Sequence, residues 1–465
     1  MSEKITRREA IIRMAAAGTG IAVAGSVLES CAGKKTSAPA APKELAPEGS
    51  SVATRTWDTL GDTLSLLGLG CMRFPTVKTD GQGGGHNAPL DQEKINEMVD
   101  YSLAHGINYF DTAPAYGESE KATGIALSRH PRESYRLATK MSNFAFGPNA
   151  KATLEGAQKM FETSLQNLQT DYIDFFLCHS INSMDDFRNR FVDNGVLDWI
   201  FEQKAAGKIK HVGFSYHGDN ETLPKVLDSG YKWEFVQIQL NYVDWKDMPD
   251  GGPRGGSKTD AETLYNELVK RNIPVVVMEP VKGGSLANVS DALKAKLATR
   301  HPELSPAGAA LTFVASKPGV AVTLSGMSNM EQLQENVATF TDFKEFDDAD
   351  NAFMQEVAEL YKSNTHVPCT GCSYCMPCPN GVNIPGNFKV FNTTSDELNI
   401  PDPTKQDKDY KKKKKIFLTR YNKDLADGSR ADACTKCNVC LQKCPQHIRI
   451  PDQLQKINDL VKSLG

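Results

Sequence analysis

Asn108-Tyr109-Phe110-Asp111-Thr112-Ala113-Pro114-Ala115-Tyr116-Gly117 is the stretch from which the rest of the chain can be read. A helical run closes just before it at Gly106, and Ile107–Phe110 is short and apolar, as a buried strand would be. Asp111 stands where that strand ends. Tyr116 follows five residues later, in a loop that Pro114 and Gly117 stiffen and turn. A strand-end carboxylate beside a loop phenol is acid/base equipment on a rigid support, provided a cation lies nearby. Alone, the stretch equally fits a loop cap at Asp111 and a surface tyrosine at Tyr116. Its surroundings decide.

Apolar runs recur at Leu64–Gly70, Ile107–Phe110, Tyr135–Thr139, Ile173–Cys178, His211–Phe214, Phe235–Leu240, Pro274–Met278 and Val320–Leu324. Amphipathic stretches such as Asp91–His105, Ala152–Leu168, Thr259–Arg271 and Met330–Thr339 lie between them. Eight strands, each followed by a helix, predict an α/β fold of the (β/α)8 TIM-barrel type. Such a barrel gathers its chemistry at the C-terminal strand ends. Asp111, Lys140 and His179 end the second, third and fourth strands. Ser215 and His217 follow the fifth, Asn241 the sixth, Glu279 the seventh and Ser325-Gly326 the eighth. Polar groups at matching places on successive strands are hard to explain as solvated surface.

From roughly Thr54 to Phe343 these residues resemble the aldo/keto reductase family. The resemblance is carried by Leu67 to Arg73, Gly106 to Gly117, Leu137 to Lys140, Phe176 to His179, Phe235 to Tyr242, Met278-Glu279-Pro280 and Ser325 to Asn336. The family's Asp, Tyr, Lys and His tetrad falls on Asp111, Tyr116, Lys140 and His179. An ordinary phenol, with a pKa of about 10, is a poor acid at neutral pH. Lys140 is therefore expected to lower it, while Asp111 keeps the lysine charged and oriented. His179 would hydrogen-bond the substrate oxygen, and Tyr116 would be general acid for reduction or base for oxidation.

The resemblance also implies a nicotinamide lying across the barrel mouth. Ser215, Gln239 and Asn241 would hold the carboxamide end, and Tyr242 would stack on the ring. Glu279, Lys282 and Gly283 would lie near the pyrophosphate. Gly326, Ser328, Gln332 and Asn336 would surround the adenosine end, where helix-start donors suit phosphate. NADP(H) is the expected cofactor, with NAD(H) left open, because Ser325 to Asn329 offers no arginine or lysine for a 2′-phosphate.

Of eleven cysteines, eight fall in the last hundred residues. They form Cys369-x2-Cys372-x2-Cys375-x2-Cys378-Pro379 and Cys434-x2-Cys437-x2-Cys440-x3-Cys444-Pro445. Two such runs are the signature of a bacterial-type ferredoxin module with two [4Fe-4S] clusters, in which the fourth cysteine of each run crosses to the other cluster. One cluster would take Cys369, Cys372, Cys375 and Cys444, and the other Cys434, Cys437, Cys440 and Cys378. The first run is one residue short of the usual spacing, which leaves its crossing ligand the less secure one. Disulfides and zinc fit the repeated spacing and the Cys-Pro endings less well. A helical insertion is expected between the runs. Cys71 and Cys178 stand apart in barrel strands and read as inert core.

The chain has 465 residues, which fits a barrel plus an appendage. Its formal net charge of -4 argues against a nucleic-acid partner. Arg7-Arg8 before the weakly apolar run Met14 to Val27 resembles a twin-arginine export signal, and Leu28-Glu29-Ser30-Cys31 a lipoprotein cleavage site. The expected organisation is a signal over 1–31, a Pro/Ala/Ser-rich linker over 32–51, a barrel over 52–345, and a connecting helix with a small ferredoxin-like iron–sulfur domain over 346–465. The product would be an exported periplasmic or cell-envelope oxidoreductase, with membrane contact only through a lipid on Cys31. Its partners would be a small carbonyl or alcohol and a redox protein; the run Lys411 to Lys415 is either solvated helix or a docking patch. Nicotinamide moves electrons in pairs and clusters move them singly, and no flavin site is evident to convert between them. Two alternatives follow: an electron-transfer protein with a scaffold barrel, or a cluster-fed reductase that does not use nicotinamide.

Overall fold

The computed structural model describes residues 46–47, 49–77, 89–143, 152–246, 259–362, 367–397, 399–404, 408–444 and 448–465. The expected signal, Cys31, and most of the loops 76–89 and 244–257 that would shape specificity lie outside the described residues. The described residues fall in one compact unit.

The chain first makes an antiparallel hairpin of β1 (Thr54–Trp57) and β2 (Asp62–Ser65), in which Thr54 faces Ser65. Eight parallel strands follow: β3 (Leu67–Gly70), β4 (Tyr109–Asp111), β5 (Arg136–Met141), β6 (Ile173–Ile181), β7 (Ile209–Tyr216), β8 (Phe235–Gln239), β9 (Val275–Met278) and β10 (Val320–Ser325). They hydrogen-bond in sequence order, and β10 returns to β3 to close the barrel. The run expected as one strand over Leu64–Gly70 is therefore two. Ser65 turns the chain between them: its Oγ donates to Leu67 O at 2.7 Å, and its N–H donates to Asn108 Oδ1 at 2.9 Å.

Side chains alternate across a strand, and here the alternation sorts the molecule into two cores. Tyr109, Ala138, Phe175, Leu177 and Phe235 fill the barrel interior, with Leu60 and Leu64 of the hairpin region and Trp57 packed against them. Phe110, Leu137, Phe176, Cys178, Phe214 and Val236 point outward to the helices. Helices begin where the polar caps predict. Asp91, Thr153, Asp260 and Asn329 accept N–H bonds from the first turns of Gln92–Ala104, Leu154–Leu168, Ala261–Lys270 and Met330–Thr341.

Helix packing is tight beside the candidate site. At Gly124, in helix Ser119–Leu127, an added Cβ would overlap Asn167 O and Leu168 Cα of the neighbouring helix. We expect Gly124→Ala to destabilise the fold by about 1–3 kcal/mol, since the obstacle is backbone. A thermal or denaturant melt would show this, and an unchanged midpoint would contradict the contact.

The connecting helix Asp348–Lys362 packs on the barrel: Phe353, Met354, Val357, Ala358 and Tyr361 belong to the outer barrel core. A separate apolar cluster runs from Val367 to Leu464, built around Phe388, Phe391, Phe417, Tyr421, Leu454 and Ile457. The insertion between the cysteine runs contains two helices, Ile384–Asp396 and Tyr410–Asp424. Lys411 to Lys415 starts the second, on a largely solvated face.

Candidate active site

The alternation that builds the interior also aims the chemistry. Asp111 lies two residues beyond inward-facing Tyr109, Lys140 two beyond Ala138, His179 two beyond Leu177, and Gln237 two beyond Phe235. Each is the next inward position toward the C-terminal ends of the strands, so the four converge above the apolar plug.

Lys140 Nζ lies 2.5 Å from Asp111 Oδ1 and donates to Thr112 O at 2.8 Å. Gln237 Nε2 donates to the other Asp111 oxygen at 3.2 Å. The Lys140 and Asp111 side chains are 0% and 6% exposed, so desolvation offsets much of their attraction. The pair fixes a charge in place more than it stabilises the fold. Burial pushes the Asp111 carboxyl up, and Lys140 and Gln237 partly pull it back. Lys140 Nζ stands 5.0 Å from the centroid of the Tyr116 ring, and the His179 ring meets Tyr116 edge to face at 5.8 Å. His179 Nδ1 shares a 2.6 Å hydrogen bond with Ser142 Oγ, and Arg190 donates to the His179 carbonyl. Burial, with Lys140, Arg190 and His217 nearby, holds His179 well below the ordinary imidazole value, so it is neutral.

The Tyr116 phenol departs from expectation. It is held well above its ordinary value, first by burial, then by Asp111 and Glu279, and a hydrogen bond from Tyr374 only partly offsets this. The dry surroundings and the two carboxylates thus favour the protonated phenol. Cys71 is also buried, which pushes its thiol up to about 12, and burial likewise raises Cys178. Both are inert.

The residues expected around nicotinamide are engaged elsewhere. Ser215 Oγ accepts from Ser180 N–H at 2.8 Å. Gln239 and Asn241 each donate to Asp244 Oδ2 at 2.8 Å, and Asn241 also to Glu279 O at 3.2 Å. Lys282 Nζ is buried against the same carboxylate, 2.7 Å from both oxygens, and so is not presented to a pyrophosphate. Tyr242 is fully buried, edge to face with Phe313, and offers no face for stacking. In this arrangement Asp244 holds the lysine, and core packing covers the tyrosine. Gly283 adopts a left-handed φ of 63°, with the backbone of Thr370 packed against it. Gly326, Ser328 and Gln332 are exposed on the rim, where Ser328 N–H donates to Gln332 Oε1 at 2.8 Å. Asn336 is buried and donates to Ser325 Oγ at 3.0 Å. Glu279 has a φ of 59°, and its Oε2 is buried without a hydrogen-bond partner among the described residues. Ser215, Gln239, Asn241, Lys282 and Tyr242 are thus engaged with the protein itself, while Gly326, Ser328 and Gln332 are open.

The cysteines do fit clusters. Gly371 and Ser373 have φ of 65° and 63°; Lys436 and Asn438, at the matching places in the second run, have φ of 57° and 63°. The two runs thus make the same left-handed turns between their cysteines. Cys375 has Cys372, Cys369 and Cys444 as its nearest electrostatic neighbours, ahead of Cys440; Cys440 has Cys434, Cys437 and Cys378. Gly371 N–H points at Cys369 Sγ, 3.4 Å away, and Asn380 Nδ2 at Cys437 Sγ, 3.6 Å away. Such donors suit thiolate sulfur.

Sequence reasoning gave no role to Arg73, Ser142, Arg190, Gln237, Asp244 or Tyr374. Gln237 could have been found, since it shares the strand parity of Phe235. Tyr374 could not, because its place depends on how the cysteine domain docks.

The Aldo/keto reductase family profile matches residues 66–359, and a 4Fe-4S dicluster domain profile matches residues 368–449. A probable aldo-keto reductase 1 of Glycine max is 32% identical over 162 residues, which is 34% of this chain and 43% of that protein. Protein tas of Escherichia coli is 25% identical over 320 residues, covering 59% of this chain and 89% of that protein. Among solved structures, the holo form of an aldo-keto reductase from Bacillus halodurans is similar in fold, with a TM-score of 0.52 at 24% identity; the match covers 66% of this chain and 96% of that one.

Proposed function

The chain belongs to the aldo/keto reductase family through its residues 66–359, and from that premise we propose that it interconverts a small carbonyl compound and its alcohol, with Tyr116 as general acid or base. The observation that carries this reading is the convergence on Tyr116 of Lys140, ion-paired to Asp111 at 2.5 Å, and of the neutral His179 ring. Reduction of a carbonyl takes two electrons and two protons. Tyr116 gives one proton to the developing alkoxide. His179 orients the carbonyl oxygen, and the Lys140 charge stabilises the phenolate left behind. Two [4Fe-4S] clusters, held as the two fours named above, complete the reading and would supply one-electron chemistry.

Family membership suggests NADP(H), with NAD(H) as the alternative, as electron donor. A second reading is favoured by the covering of Gly283 and by the Tyr374 hydrogen bond to Tyr116: reducing equivalents come through the cluster domain. We also propose export by the Arg7-Arg8 signal and lipid attachment at Cys31, on sequence grounds alone.

The raised phenol sets the pH dependence. Its proton stays on until well above pH 10, so the acid form is fully populated across the neutral range. Reduction should therefore be flat from about pH 6 to pH 9, and alcohol oxidation should rise about tenfold per unit over the same range, since it needs the phenolate. Steady-state rates in both directions check this. A reduction rate that falls through pH 7 would remove Tyr116 from the role.

A further inference from the structure

The loop 369–375 lies in the barrel mouth, along the path expected for the inner part of a dinucleotide. Arg73 reaches over Gly326, where an added Cβ would stand 3.2 Å from Arg73 Cδ, and its guanidinium donates to Thr370 O at 2.7 Å. Thr370 is 3% exposed, and its backbone occupies the space any Cβ at Gly283 would need. Four residues further on, Tyr374 crosses to hydrogen-bond the Tyr116 phenol. Glu279 stands between, close enough to be felt by Cys369, Cys372 and Tyr374. The positions assigned to the pyrophosphate and the reactive ring are thus covered by the chain itself. Of the four assigned to adenosine, Gly326, Ser328 and Gln332 are open and Asn336 is buried against Ser325. Covering at one end and exposure at the other is what a built-in occupant of the cleft would give.

We propose that loop 369–375 is the resident occupant of the dinucleotide cleft, so that the cluster-loaded chain excludes NADPH and NADH while the loop is docked. Tyr374 then takes the place beside Tyr116 that a nicotinamide would otherwise hold. Among the described residues, the Arg73 bond to Thr370 and the Tyr374 bond to Tyr116 tie the loop to the barrel. Neither residue is a cluster ligand, so both can be changed while the thiolates remain. The proposal rests on the tetrad reading only for the identity of the cleft.

The test is equilibrium binding of NADPH and of NADH to the anaerobically purified, cluster-loaded chain, by nicotinamide fluorescence and by dialysis. The wild type is compared with Arg73→Ala/Tyr374→Ala, and visible cluster absorption confirms that both are loaded. Expected are no saturable binding to the wild type up to about 1 mM, and a gain of at least about tenfold in affinity in the double variant. Hydrogen exchange of 369–375 should stay slow in the wild type whether or not nucleotide is added, and should quicken in the variant. Micromolar binding to the wild type with the loop still protected overturns the proposal. So does absence of binding in both proteins, because the cleft would then be unfit whatever covers it. These readouts use no turnover, so they stand apart from the acid/base role of Tyr116.

Discussion

Tyr116→Phe should lower carbonyl reduction about 10²–10⁴-fold, the usual range for losing a positioned proton donor. The ring, its edge contact with His179 and its place 5.0 Å from Lys140 Nζ all survive, so only the hydroxyl is lost. Substrate KM should move little, and the visible absorption of the clusters should not change. The variant also separates two classes of function. An electron-transfer protein with a scaffold barrel would pass electrons from a chemical donor to an acceptor as fast with phenylalanine as with tyrosine. Equal carbonyl turnover in variant and wild type would remove Tyr116 from the acid/base role. The Tyr374 bond to the Tyr116 phenol is lost in this variant, so a small gain in loop exchange is expected alongside the kinetic loss.

Iron removal should have the other large effect, and it should be local. Ser373, Lys436 and Asn438 are non-glycine residues in left-handed conformation, a state that costs roughly 1 kcal/mol or more each. The turns that carry them have little regular structure of their own, and a bound cluster would hold them closed. The apolar cluster from Val367 to Leu464 is separate from the barrel cores. Anaerobic chelation should therefore loosen 367–465 and leave the barrel folded, because metal binding in such modules is a large part of their folding free energy. Hydrogen exchange resolved along the chain would show fast exchange after residue 367 and unchanged protection in β4 to β8. Uniform loss of protection would mean that the barrel depends on the cluster domain for its fold. Unchanged protection everywhere would make the iron ornamental to stability.

Most of the barrel was legible because period-two alternation and polar strand ends are both local signals. Asp111, Lys140 and His179 sit where an inward-facing rule puts them, and their meeting follows once eight strands close. The break at Leu66 was not legible: the run from Leu64 to Gly70 has neither a proline nor an early glycine to mark the change from hairpin to barrel. It is made by Ser65 and Asn108, forty-three residues apart. The fate of Lys282 was hidden for a similar reason, since nothing near it in sequence announces the buried Asp244 that binds it. The pKa of Tyr116 was misjudged in direction because sequence shows the ammonium but not the depth of burial. Tyr374 belongs to the relation between two domains, which no local pattern carries.

The inward and outward alternation of the strands up to their C-terminal ends also constrains how this molecule can change over generations. A single-residue insertion within β6 before Cys178 would place that thiol at the mouth and turn His179 toward the helices, exchanging a reactive imidazole for a dead sulfur. The loops beyond the strand ends carry no such parity and can lengthen or shorten freely. Substrates can thus be traded through the loops while the proton chemistry is inherited unchanged, and lineages with altered strand length should be rare among active descendants.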